Sequence, residues 1–231
     1  MFHVKPDAVS SQRVQLPHGV VPRDEWRRQL SDYHDILAST GVTRGLIGPR
    51  EGPKLWSRHL DNCAVIALPE LGIVPVNSAV MDIGSGAGLP GLVWALTRPD
   101  IRVQLVEPLL RRADFLTEVV ATLQLGKRVV VTRARAEDVP PASADVVTSR
   151  AVAALPKLTS WSLRHTAPGG TVVAIKGGRA SMELSAEREK IRRLGGRQSA
   201  VVEIVEDPEP EPTARLVVVS RVRIPRYEWS R

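Results

Sequence analysis

Residues 80–91, Val-Met-Asp-Ile-Gly-Ser-Gly-Ala-Gly-Leu-Pro-Gly, carry the clearest chemical signal in the chain: a short apolar run enters glycines and then a helical pattern. Gly84 and Gly86 permit backbone torsions and close ligand approach that a Cβ would block, and the helix that follows offers unpaired N–H groups at its start. Gly84, Ser85, Gly86 and Leu89 are therefore candidates to cradle a cofactor. A dinucleotide fingerprint, G-x-G-x-x-G, needs glycine at position 89; Leu89 makes the fit to a pyrophosphate imperfect. Asp82, just before the loop, can order its backbone or approach the ligand.

Two further groups follow at regular intervals. Glu107 closes the run Val103-Gln104-Leu105-Val106-Glu107, and an acceptor-only carboxylate at a strand tip can take hydrogen bonds from both hydroxyls of an adenosine ribose. Nicotinamide enzymes use the same device, so Glu107 does not choose between cofactors. Farther on, the Ala136 N–H and the Glu137 side chain follow a third apolar run and could meet an adenine. Each feature alone is commonplace. Their order, on successive strand-to-helix turns, is what points to one site.

Side chains on three turns meet only if the turns share one edge of a sheet. Apolar runs at 79–83, 102–107, 128–132, 145–149 and 171–175 read as buried parallel strands, and helical stretches at roughly 88–97, 110–125, 152–166 and 182–194 alternate with them. This alternation predicts an open α/β sheet covered on both faces, with ligands at the carboxyl ends of its strands. Runs at 200–205 and 216–222 are joined only by the acidic, Pro-rich loop 206–212, too short for a crossover helix, so they should pair antiparallel. Such a hairpin is uncommon in dinucleotide enzymes and usual in methyltransferases. The expected fold is thus Rossmann-like, class I S-adenosylmethionine-dependent, with a mostly parallel seven-stranded sheet and a C-terminal antiparallel hairpin.

Ahead of the sheet, Trp26, Leu30, Tyr33 and Leu37 recur at helical spacing, and Trp56, Leu60, Cys63 and Ala67 make a second stripe. An N-terminal helical cap is expected over 22–74 and the methyltransferase core over 75–231. Residues 1–21, where Pro6, Pro17 and Gly19 break up polar residues without period, read as a flexible arm.

With 231 residues, 43% hydrophobic, the chain can bury one sizeable core. Its 32 Lys and Arg against 25 Asp and Glu give a formal charge of +7, which favours an anionic partner such as nucleic acid. One cysteine, Cys63, allows neither an intrachain disulfide nor a cysteine-based metal site, and no metal is expected. No apolar run approaches the roughly 20 residues of a membrane span, and the first 22 residues lack the apolar core of a secretion signal, so a cytoplasmic protein is expected. Arg58 and His59 on the cap, Arg111 and Arg112 after Glu107, and Arg135 after the third strand would track RNA phosphates if they share the site's face. Arg150 and Lys176 stand at the ends of the fourth and fifth strands. The planar fork of Arg150 could contact cofactor or nucleotide, and the compact charge of Lys176 suits a phosphate.

The chain resembles a known family, the bacterial methyltransferases for guanine N7 in 16S ribosomal RNA, historically called glucose-inhibited division protein B. The resemblance rests on the stretch from Asp82 through Leu89-Pro90-Gly91, on Arg58-His59-Leu60-Asp61, on Ser149-Arg150-Ala151-Val152-Ala153 and on Ile175-Lys176-Gly177, in family order over about residues 43–222. It implies methyl transfer from S-adenosylmethionine to one guanine in the 530 loop of 16S ribosomal RNA, near the streptomycin site, with the RNA or the small ribosomal subunit as partner. Carried over by position, cofactor contacts fall on Gly84, Leu89, Ala136, Glu137 and Arg150. Leu46-Ile47-Gly48 departs from the Asn-Leu-Thr expected ahead of the cap helix. Guanine N7 has a free lone pair, so no general base is expected and Arg150 and Lys176 would act by positioning. A monomer is expected, because cap and hairpin would cover the sheet.

Three alternatives stay open. A methyltransferase for a small molecule or protein would keep the pocket but need no basic face. A noncatalytic RNA-binding or assembly protein would keep the face without the pocket, and a nicotinamide oxidoreductase is disfavoured by Leu89 and by the antiparallel tail.

Overall fold

A computed structural model describes residues 10–150 and 154–221. Its spine is one eight-stranded sheet. In chain order the strands are β1 (Ser10–Leu16), β2 (Ala79–Ile83), β3 (Arg102–Val106), β4 (Val129–Thr132), β5 (Ala144–Arg150), β6 (Thr166–Ile175), β7 (Gln198–Glu206) and β8 (Ala214–Ser220). Across the sheet they run β1-β7-β8-β6-β5-β2-β3-β4. The pairs β2·β3, β3·β4, β2·β5 and β5·β6 are parallel. β8 is antiparallel to β7, as the short connection between them requires, and also to β6 on its other side.

The first strand corrects the reading of residues 1–21 as a flexible arm. Ser10–Leu16 pairs parallel with β7 along its length, Val14 against Ile204 and Leu16 against Glu206. Only Val14 and Leu16 are buried within it, and Ser, Gln and Arg fill the remaining places. Two apolar positions are too few for the alternation to stand out beside Pro17 and Gly19, so the sheet has one strand more than the seven expected. Residues 1–9 and 222–231 lie outside the described residues, as do Ala151, Val152 and Ala153 of the fourth-strand motif.

Helices follow the strands as the alternation predicts: α3 (Gly91–Thr97) after β2, α4 (Leu110–Thr122) after β3, α5 (Leu155–His165) after β5 and α6 (Ala180–Arg193) after β6. In α4, Ala113, Phe115, Leu116, Val119 and Val120 are buried while Arg111 and Arg112 stay exposed. This is the one-sided stripe of a helix lying on a sheet.

The cap packs over α3. Helix α1 (Arg23–Ile36) buries Trp26, Leu30 and Tyr33 and passes into a π-helical turn at Leu37–Gly41. The second cap stripe is not one regular helix. It runs through a 3₁₀ turn at Gly52–Lys54, a π-helical turn at Leu55–Leu60, α2 (Asp61–Ala64) and a second 3₁₀ turn at Val65–Ala67. Leu55, Leu60 and Cys63 are fully buried, so the stripe buries its apolar face although the pitch changes three times. The buried Trp94 indole donates to the Cys63 carbonyl at 2.9 Å. The Arg98 guanidinium, 3% exposed, donates to the carbonyls of Ala67 and Val74 at 2.9 and 3.0 Å. These bonds fix the cap to α3 and hold it above the carboxyl ends of β2 and β5.

Candidate active site

The glycine loop is held from three sides. Below it, Gly84 N and Ser85 N donate to the Val106 carbonyl at 2.8 and 3.2 Å, and the turn closes through Gly88 N to the Ser85 carbonyl at 2.7 Å. Gly84, Gly86 and Gly88 have φ of 68, 59 and 101°, the left-handed region where a Cβ is disfavoured. From the next strand end, Glu107 accepts from Gly86 N through one carboxylate oxygen and from Leu109 N through the other, both at 3.0 Å. Glu107 is 1% exposed. It is therefore first an anchor of the loop, with lone pairs left for hydroxyls of a ligand. From the cap, the buried Tyr33 hydroxyl donates to the Ala87 carbonyl at 2.7 Å. Sequence reading placed Tyr33 on an apolar stripe; nothing in the helical period marks its hydroxyl as a loop contact.

Beneath the loop lies Asp82, fully buried. One oxygen accepts from Gly91 N at 3.0 Å, and the other has no partner among the described residues. Burial pushes its carboxyl up to about 7, against the lowering effect of the Gly91 N–H and the Ser85 hydroxyl. Because the folded-state value is raised, the native state keeps a proton that the unfolded chain gives up near pH 4. The resulting stabilisation is fully present below that pH and is lost as pH rises through about 7. The expected outcome is that urea stability of the wild type falls by up to about 4 kcal/mol relative to Asp82→Asn between pH 4 and 8. Parallel stability curves for the two proteins would show Asp82 ionised throughout.

Two cavities open at this edge of the sheet. The first, about 490 Å³, is lined by Gly84, Gly86, Leu89, Glu107 and Arg112, with Leu46 and Ile47 of the cap facing them. A Cβ on Gly86 would meet only the Gly84 carbonyl, at 3.8 Å, so that position faces open space of the cavity. The second, about 810 Å³, lies between the cap and the ends of β5, β6 and β8. Five cations line it, Arg23, Arg58, Arg150, Lys176 and Arg179, against the two carboxylates of Asp61 and Glu183.

Arg150 and His59 line both cavities and form the wall between them. The Arg150 guanidinium donates to the Arg58 carbonyl at 2.9 Å, the His59 carbonyl at 3.3 Å, His59 Nδ1 at 2.8 Å and Cys63 Sγ at 3.3 Å. A guanidinium can only donate, so His59 Nδ1 is the acceptor, and its Nε2–H is left to donate to Glu51 at 2.8 Å. Burial lowers the His59 imidazole below its ordinary value; Glu51 opposes this and the Arg150 charge reinforces it. The neutral ring is the form that accepts from Arg150. Glu51, held below the usual carboxylate range chiefly by its bond to His59, carried no role in the sequence reading because it sits in a loop eight positions before its partner.

A model for the family of rRNA small subunit methyltransferase G, GidB, matches residues 27–211. The chain belongs to the GidB family. Among its relatives, proteins named ribosomal RNA small subunit methyltransferase G, that of Salinispora tropica is 51% identical over 71% of this chain and 69% of its own. That of Corynebacterium jeikeium is 46% identical over 85% and 87%, and that of Rhodococcus jostii 43% over the whole of both chains. Solved structures agree on the fold. The S-adenosylmethionine-dependent methyltransferase SibL superposes with a TM-score of 0.57 at 17% identity, covering 89% of this chain and 71% of that one. The tRNA methyltransferase TrmI of Aquifex aeolicus gives 0.54 at 16% identity over 71% and 69%. As a GidB methyltransferase, the chain takes its methyl group from S-adenosylmethionine, and the first cavity fits that ligand: an open glycine cradle, an adjacent carboxylate and apolar cap residues.

The GidB motif residues do not all fall on that cavity. Gly84, Ser85, Gly86, Leu89, Glu107 and Arg150 line it together. Ala136 and Glu137 are outside its lining. Their carbonyls accept from the buried His165 Nε2–H at 2.9 Å and from Arg164 at 2.6 Å, which fixes the turn after β4 to the end of α5. Of the residues proposed to meet RNA, Arg58 and Lys176 line the second cavity, Arg112 the first and the neutral His59 both. Arg111 and Arg135 are exposed beyond both. Lys176 is paired with Glu183 at 2.6 Å, so a phosphate there would have to compete with that carboxylate. Among the described residues no helix is long and apolar enough to cross a membrane, and no group of three His, Cys, Asp or Glu could hold a metal.

Proposed function

We propose that this chain methylates N7 of one guanine in the 530 loop of 16S ribosomal RNA, in the cytoplasm and as a monomer, with the RNA or the small ribosomal subunit as its partner. One observation carries the reading: a cofactor-sized cavity and a larger, cation-lined cavity meet at a single wall, Arg150 and His59, in a chain of the GidB family. S-adenosylmethionine, when bound, supplies an electrophilic methyl on a sulfonium.

In this reading Gly84, Ser85, Gly86 and Leu89 cradle the donor and Glu107 accepts from its ribose, while Ala136 and Glu137, outside the cavity's lining, contact an adenine edge that extends past it. With the donor held by these residues, its methyl would pass to the N7 lone pair, and the electron pair of the broken S–C bond would stay on sulfur. No proton leaves N7, so the residues need only bring the reacting atoms to about 3–3.5 Å in line and keep water out. Arg150 and Lys176 position the nucleotide. Arg58, His59, Arg111, Arg112 and Arg135 follow the backbone on either side.

Salt dependence tests the substrate class. Between 50 and 200 mM salt, affinity for small subunits is expected to fall at least about 10²-fold, and Arg58→Ala or Arg111→Ala should each reduce the slope of log K against log salt by about 0.7–0.9. Filter binding measures both. A flat profile would redirect the reading to a small-molecule methyltransferase.

A further inference from the structure

Asp61 is unexplained by the loop, the wall or the cap packing. It lines the second cavity and is 8% exposed. Its ion pair among the described residues is with Arg23, at 3.7 Å from Nε to Oδ2, beyond hydrogen-bonding range. Arg23 itself makes the shorter contact, 2.6 Å, to Glu206. Burial raises its carboxyl above the ordinary value, and the charges of Arg23 and Arg27 offset this only in part. Beside it, the Asn62 amide N–H donates to the Thr213 carbonyl at 2.6 Å, which pins this end of α2 to the approach of β8. A fixed carboxylate whose nearest cation stands at 3.7 Å, in a cavity where five cations face two carboxylates, calls for a ligand that is anionic along its backbone and carries hydrogen-bond donors at its inner edge.

Guanine in a nucleic acid meets that description. Its Watson–Crick edge presents N1–H and the 2-amino group as adjacent donors, which one carboxylate can accept together, and N7 lies on the opposite edge of the bicycle. Adenine offers an acceptor at N1, and a carboxylate there would face another lone pair. We propose that the second cavity receives the purine of the target nucleotide and that Asp61 selects guanine there, its carboxylate accepting from N1–H and the 2-amino group while N7 faces the Arg150–His59 wall.

The assignment rests on the guanine reading above and adds a catalytic consequence. Methyl transfer moves one positive charge from sulfur onto the purine, so the N1–H and amino donors become more acidic along the reaction. Their bonds to Asp61 are then stronger in the transition state than in the ground state, which is the condition for accelerating the chemical step. Asp61 is thus a catalytic residue in the sense of touching the substrate, without taking its proton.

The test compares single-turnover methylation of small subunits reconstituted with guanosine or with inosine at the methylated position; inosine lacks only the 2-amino group. The wild type is expected to lose about tenfold on inosine, a comparison that needs no folded variant. Asp61→Asn is expected to lose about 10²-fold on guanosine, with a smaller loss on inosine, and to keep its affinity for S-adenosylmethionine by calorimetry. Equal losses on both substrates, an unchanged wild-type rate on inosine, or loss of cofactor affinity in Asp61→Asn would overturn the assignment. Failure of the wild type to label any guanine would instead overturn the reading on which it rests.

Discussion

Replacing Arg150 with alanine is expected to lower the single-turnover rate of methyl transfer by at least about 10²-fold while weakening cofactor binding much less. The guanidinium borders both cavities and ties them to the cap, through the carbonyls of Arg58 and His59, the His59 ring and the Cys63 sulfur. Truncation removes the wall between donor and acceptor. It also removes the bonds to the Arg58 and His59 carbonyls, and the cap residues proposed to meet the nucleotide lose their tether to β5. Lysine cannot restore the arrangement, because a single ammonium does not span four acceptors set by a planar fork. Arg150→Lys should therefore stay close to the alanine variant. Rapid-quench assays at saturating cofactor check this, and a wild-type rate in either variant would remove Arg150 from the mechanism.

The second large effect concerns the glycine loop, where two neighbouring substitutions should part company. A Cβ on Gly88 would lie 2.3 Å from Leu92 Cδ1 and 2.8 Å from the Tyr33 hydroxyl, at a φ of 101°. Gly88→Ala must displace Tyr33 from the Ala87 carbonyl or shift α3. The expected result is a loss of stability above about 3 kcal/mol, from overpacking together with the strained backbone, and of cofactor affinity with it. At Gly86 a Cβ meets nothing closer than 3.8 Å. Gly86→Ala should therefore cost only the left-handed backbone penalty of about 1–2 kcal/mol in stability, yet weaken S-adenosylmethionine binding at least about tenfold, because the methyl group occupies the ligand's space. Urea unfolding and calorimetry on the two variants separate loop integrity from ligand contact. Equal affinity losses at equal stability would mean that the loop does not discriminate in this way.

Gly84, Gly86, Glu107 and the strand alternation were legible because a ligand-binding turn needs particular residue types at short range in sequence. Arg150 was legible as a strand-end cation, but its four partners were not, since they lie about ninety positions away on the cap and three of them are backbone or sulfur atoms. The Glu51–His59 pair and the Tyr33 hydroxyl were hidden for the same reason: helical period reports which face is buried, not what a polar tip reaches. β1 escaped notice because an edge strand with one shallow apolar face needs only Val14 and Leu16. The irregular pitch of residues 52–67 has no sequence signature beyond Pro53, since its apolar stripe fits a plain α-helix almost as well.

The most direct test of the account is to incubate the protein with methyl-labelled S-adenosylmethionine and small subunits from cells lacking the enzyme, then map the label by borohydride reduction and aniline cleavage, which cuts RNA at 7-methylguanosine. The account predicts label at one guanine of the 530 loop, cleaved by that chemistry, and absent with Gly84→Asp. Label at another atom or nucleotide, or none in RNA despite tight cofactor binding, would contradict it.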